Sequence, residues 1–79
     1  MDIQTIIRYV TEETEHITMK RISINQPLIS AQLLDSMGLV DLALSLESRF
    51  HVTIDARNIT PKNFETVENI ASYLQTLLK

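Results

Sequence analysis

The stretch from Leu33 to Phe50, LLDSMGLVDLALSLESRF, constrains the fold most, because it keeps a helical period that is apolar on two sides and holds no proline. Asp35 is suited to capping such a helix, since its short carboxylate accepts hydrogen bonds from first-turn amides that lack a partner inside the helix. A helix that begins just after Asp35 carries the Ser36 hydroxyl in its first turn. At about 100° per residue, Leu39, Leu42, Ala43, Leu46 and Phe50 fall on one side, and Met37, Val40 and Leu44 fall on another. Asp41, Glu47 and Ser48 flank the second set. The first face has core spacing. An ordinary surface helix would carry charges where Met37, Val40 and Leu44 stand, and little chain remains to cover them. The second face is therefore either buried by another segment or, as the short chain favours, left for another protein.

The chain has 79 residues, enough for one small core, and residues 1–79 read as one domain without room for a separate catalytic one. Only two tyrosines and two phenylalanines are present, so aliphatic side chains must fill that core. One glycine and two prolines favour helices with ordered connections over short strands. Ile3, Ile6, Ile7 and Val10, preceded by Asp2, predict a first helix over residues 2–16. Glu12, Glu13, Glu15 and His16 lie off that apolar face and read as solvated, because no second ligand group is spaced to complete a metal site.

From Ile17 to Leu34 the helical period is lost, yet Ile17, Ile22, Ile24, Leu28, Ile29, Leu33 and Leu34 keep the segment apolar. It reads as a long loop tied over the core, with Pro27 setting a turn. Lys20 and Arg21 are a solvated pair or a contact for an acidic partner. His51 to Ile54 alternates like a strand, but a lone strand has nothing to pair with in a helical chain. We read it as an extended connection with Val52 and Ile54 in the core and His51 as a helix cap or surface residue. Asp55 to Phe64 is expected to hold one short helical turn. Thr66 caps a closing helix through Val67, Ile70, Ala71, Leu74, Leu77 and Leu78, with Tyr73 at its edge. The expected fold is all-α: three main helices and one short one, with a long loop between the first two.

The formal net charge of -3, without a basic stripe or aromatic platforms, argues against nucleic acid as a partner. No cysteine is present, so any thiol that works here must arrive on a prosthetic group. Neither a signal peptide nor a run long enough to span a membrane is visible, and a cytoplasmic monomer is expected. No base, metal cluster or Gly-x-Ser-x-Gly turn accompanies Ser36, so no residue is assigned as catalytic. Ser36 is better suited to being modified: a phosphodiester at a helix N-terminus gains on the order of 0.3 to 1 kcal/mol from the amides and the macrodipole.

Asp35-Ser36-Met37 at the start of a two-faced helix resembles the acyl and peptidyl carrier protein family. The preceding Leu33-Leu34, the Phe50 to Ile54 segment and the closing helix from Thr66 match in order and spacing, so the resemblance covers nearly the whole chain. It implies a small carrier-protein bundle in which Ser36 receives 4'-phosphopantetheine from coenzyme A, with Asp35 beside it. The arm would hold an acyl or aminoacyl group as a thioester. The implied partners are a phosphopantetheinyl transferase, an adenylating or acyl-loading enzyme and a downstream processing or transferase enzyme. By the same resemblance, Asn58, Ile59 and Thr60 lie near the arm or an incoming enzyme. Met37, Val40 and Leu44 would dock partners through apolar contact, with Asp41 and Glu47 orienting them at the rim.

Two features depart from the family pattern. Gly38 stands where carriers of fatty-acid synthesis often have an acidic residue, and His51 stands where many members have glycine. Asp41 and Glu47 make the second helix only weakly acidic, and Arg49 offsets them. This pattern is similar to free-standing aminoacyl or peptidyl carriers, including D-alanyl and prolyl types. An acyl carrier of fatty-acid or polyketide synthesis is the alternative. A helical interaction module without a prosthetic group is the competing class, in which Ser36 only starts a helix.

Overall fold

The computed structural model describes residues 1–78 and is all-helical, with no strand among them. Its elements are α1 (Ile3–Thr18), α2 (Ser36–Phe50), a 3-10 turn (Ala56–Asn58), α3 (Pro61–Phe64) and α4 (Val67–Leu77). Helix α1 packs on both α2 and α4, and α3 packs on α4. The core takes Ile6 and Val10 from α1, Leu42, Ala43, Leu46 and Phe50 from α2, Phe64 from α3, and Val67, Ile70, Ala71 and Leu74 from α4. Ile22, Leu28, Leu34 and Ile54 complete it from the loops. The bundle is thus built from aliphatic helix faces, with loop side chains closing its ends.

Helix α1 runs to Thr18 rather than stopping at residue 16. The hydroxyls of Thr11, Thr14 and Thr18 each donate to the carbonyl four residues earlier, at 2.8, 2.8 and 2.9 Å, so these polar groups are satisfied within the helix. Ile17 packs against the core and holds the extra turn down. The 55–64 segment holds two helical pieces where one was expected, because Asp55 caps the 3-10 turn and Pro61 starts α3 anew. Pro27 does not set the loop's turn. Gln26 N donates to Ser23 O at 3.1 Å, closing that turn one residue earlier, and a proline has no amide with which to close one. Leu77 also leaves the closing helix's packed face and is exposed, while Leu78 beyond it touches the core.

Arg49 does not offset Asp41 and Glu47. It crosses to α1, where its guanidinium meets Glu12 and Glu13 at 2.8 Å each and lies 4.1 Å from the centre of the Tyr9 ring. The Tyr9 ring in turn packs on Phe50 with centroids 5.9 Å apart. The acidic face of α1 is therefore bridged to α2 and is not simply solvated.

Helices α1 and α2 end the same way. Met19 and His51 take left-handed cap conformations, with φ of 59° and 56°, and each cap amide donates to a glutamate carbonyl, of Glu15 and Glu47. The same two glutamates then reach forward with their side chains. Glu15 Oε2 accepts from Ile22 N at 2.9 Å and Glu47 Oε2 from Ile54 N at 2.6 Å, which seats both isoleucines in the core. A carboxylate in the last turn opposes the macrodipole, and the amide seven residues on gives it a compensating partner. Left-handed geometry costs a non-glycine residue about 1 kcal/mol or more. His51→Gly is expected to raise the thermal midpoint by about 4 °C, part of the gain being offset by unfolded-state entropy. Thermal unfolding followed by circular dichroism checks this, and an unchanged or lower midpoint counts against strain at the cap.

Candidate functional site: the N-terminus of the second helix

Asp35 is the N-cap of α2, in extended conformation, and Ser36 is the helix's first residue. Asp35 Oδ1 accepts from Gly38 N at 2.7 Å and Asp35 O from Leu39 N at 2.9 Å. The amides of Ser36 and Met37 find no acceptor among the described residues, and neither does the Ser36 hydroxyl, which is exposed. Gly38 makes the turn tight. A Cβ added there would stand 3.3 Å from both Asp35 Oδ1 and Leu34 Cδ2, so a larger residue would press on the cap itself.

Beyond the serine, α2 presents its second apolar face to solvent. Met37, Val40 and Leu44 are 76%, 51% and 58% exposed, whereas Leu42 and Leu46 on the other side are fully buried. Asp41 is exposed beside this strip. Glu47 is half-buried, and its Oε2 accepts from Ile54 N, which ties one of its carboxylate oxygens to the loop after α2.

Asn58, Ile59 and Thr60 are tied to α3 and α4. Asn58 Nδ2 donates to the Tyr73 hydroxyl at 3.3 Å, and the Asn58 carbonyl accepts from Asn63 Nδ2 at 2.9 Å. Ile59 packs against the core, and Thr60 is the N-cap position of α3, without a side-chain cap bond. None of the three exchanges a hydrogen bond with the Ser36 turn.

Glu65 is a residue that sequence reasoning passed over. Its Oε1 accepts from three successive amides, Leu28 at 3.1 Å, Ile29 at 2.8 Å and Ser30 at 3.0 Å. The Ser30 amide above all, with those of Ile29 and Leu28, holds this carboxyl below the usual range, against a smaller opposing effect of burial. Nothing in sequence pairs position 65 with a loop more than thirty residues away. The Glu15 and Glu47 clamps did leave a signal, a glutamate seven residues before an isoleucine at the end of each helix.

An exposed hydroxyl beside free first-turn amides suits a phosphodiester, since those amides would be left without acceptors otherwise. Among the described residues no base is hydrogen-bonded to the Ser36 hydroxyl. Among the described residues, no group of three His, Cys, Asp or Glu is placed to hold a metal ion, and no helix is long and apolar enough to cross a membrane.

Residues 4–74 match the family model of the phosphopantetheine attachment site. The chain therefore belongs to the phosphopantetheine-dependent carrier proteins, whose prosthetic group is covalently attached 4'-phosphopantetheine. It is 32% identical over 80 residues to the D-alanyl carrier protein of Streptococcus suis strain 05ZYH33, covering 99% of this chain and 98% of that protein. The counterpart in strain 98HAH33 is 31% identical over the same length. Aminoacyl carrier protein 1 of Bradyrhizobium diazoefficiens is 41% identical over 46 residues, covering 58% of this chain and 51% of that protein.

Proposed function

We propose that residues 1–79 act as one non-catalytic carrier domain, a cytoplasmic monomer that bears its phosphopantetheine on Ser36 and carries an aminoacyl group. The observation that supports this most is the exposed, unbonded Ser36 hydroxyl at the first residue of α2, immediately beside an apolar strip that the fold leaves uncovered. The two Streptococcus suis relatives, matched over nearly their whole length, are D-alanyl carrier proteins, and the weak acidity of α2 agrees with an aminoacyl rather than a fatty-acyl cargo. When attached, the arm supplies the thiol that a chain without cysteine lacks, and that thiol holds the cargo as a thioester.

The chain's own residues would then do three things. Asp35 fixes the start of α2, so that Ser36 stands clear of the bundle. The free amides of Ser36 and Met37 favour the phosphodiester charge. Met37, Val40 and Leu44 give the transferase and the adenylating enzyme an apolar surface, with Asp41 setting orientation.

The function is tested by charging the phosphopantetheine-bearing chain with single amino acids and adenylating enzymes, reading intact mass before and after hydroxylamine. An aminoacyl adduct released by hydroxylamine is the expected result. Charging by fatty-acyl donors alone would move the chain to the alternative carrier class. Failure of a folded sample to accept phosphopantetheine at all would favour the interaction module. Within this reading, Val40→Asp is expected to lower kcat/KM for loading by about tenfold, as loss of an apolar contact at the centre of an interface does. Its thermal midpoint should stay within about 3 °C of wild type, since the residue is at the surface. Unchanged loading kinetics would remove Val40 from the docking surface.

A further inference from the structure

We infer that Glu65 is a positioning residue for the modification of Ser36, holding from the α3–α4 junction the coil that sets where α2 begins. The inference rests on Ser36 being the attachment site. Its geometry is a continuous run of hydrogen bonds. Glu65 Oε1 gathers the amides of Leu28, Ile29 and Ser30, and Glu65 O takes a second share of Leu28 N at 2.7 Å. The Leu28 carbonyl then accepts from Leu33 N at 2.9 Å and Leu34 N at 3.0 Å. Leu28 and Leu34 are both buried, and Asp35 follows Leu34 directly.

Three amides aimed at one point crowd their partial positive charges, and a carboxylate oxygen at that point relieves this. Without the Glu65 carboxylate, Leu28 N keeps its bond to Glu65 O, but the amides of Ile29 and Ser30 lose their acceptor, and the coil that runs from Leu28 to Leu34 would loosen. Leu34 would then shift, and with it the side chain that stands 3.3 Å from the Cβ position at Gly38. The Asp35 cap and the Ser36 hydroxyl would lose their fixed place, although neither touches Glu65. Glu15 makes a comparable carboxylate-to-amide bond at the other end of the same loop, to Ile22 N, but has no such path to Leu34.

The experiment measures transferase-catalysed attachment of phosphopantetheine from coenzyme A to wild type, Glu65→Ala, Glu65→Gln, Glu15→Ala and Ser36→Ala, at a temperature where each is folded by circular dichroism. Glu65→Ala is expected to lose about tenfold in kcat/KM, the order of effect that small misplacement of a reacting group has. Glu65→Gln keeps an acceptor oxygen and should stay within about threefold of wild type. Glu15→Ala should load like wild type. In two-dimensional NMR the amides of Ser36, Met37 and Gly38 should shift in Glu65→Ala and hold their place in Glu15→Ala. Equal loading by wild type and Glu65→Ala overturns the inference alone, as does an equal loss in Glu15→Ala. Absence of loading in wild type, or loading of Ser36→Ala, overturns the attachment reading and the inference with it. Should Glu65→Ala fail to fold, Glu65→Asp replaces it with the same criteria, its carboxylate one methylene short of the three amides.

Discussion

A Ser36→Ala chain incubated with coenzyme A and a broad-specificity phosphopantetheinyl transferase is expected to gain no mass, while the wild type gains one phosphopantetheine. The contrast is complete because the substitution removes the one oxygen to which the phosphorus would bond. It should leave everything else in place. The cap of α2 belongs to Asp35, and the Ser36 hydroxyl has no hydrogen-bond partner to lose. Alanine is also the better helix former, so the thermal midpoint should not fall. Intact mass and a thermal scan on the same samples separate loss of the site from loss of the fold. A mass gain retained by Ser36→Ala would move the attachment to another hydroxyl, with exposed Ser48 on the same helix the first to replace.

The largest effect on stability is expected from Phe64→Ala. Phe64 is fully buried, packs its ring 6.1 Å from that of Tyr73, and is the side chain by which the four-residue α3 enters the core. A helix of one turn does not persist by itself, so α3 depends on this anchor. Truncating a buried phenylalanine costs about 3–5 kcal/mol, a large share of the stability of a domain this small. The thermal midpoint should drop by more than about 12 °C. A drop of only about 3 °C would mean that α3 and α4 are held by something other than Phe64, with the polar contacts of Asn58 and Asn63 the next to test.

The part of the fold legible in sequence was the part carried by apolar period. Leu42, Ala43, Leu46 and Phe50 are buried and Met37, Val40 and Leu44 exposed because one helix cannot turn both faces inward in so short a chain. Asp2, Asp35 and Thr66 were legible as caps because a cap acts within its own first turn, and each side chain does accept from the amide three residues on. The charged side chains that tie distant segments together were not legible. Arg49 reaching Glu12 and Glu13, and Glu65 reaching the Leu28 to Ser30 amides, depend on which elements lie side by side. Glu47 looked like a surface acid because the loose amide that claims it, that of Ile54, exists only once α2 has ended at His51. Ile24 is exposed despite its apolar character, and its carbonyl accepts from Glu68 N at 3.0 Å.

Because the inner face of α2 is locked against the core, the helix is unable to roll, and its outer face becomes a ruler. Ser36, Val40 and Leu44 are spaced four residues apart along it, so each step is about 6 Å and the hydroxyl lies about 12 Å along the axis from Leu44. An enzyme that grips Leu44 receives the serine at a set distance and azimuth. Two enzymes with unrelated active sites could share this carrier provided each keeps the same interval between its apolar socket and its reacting centre. An insertion within α2 between Ser36 and Leu44 would break that common gauge for all of them at once.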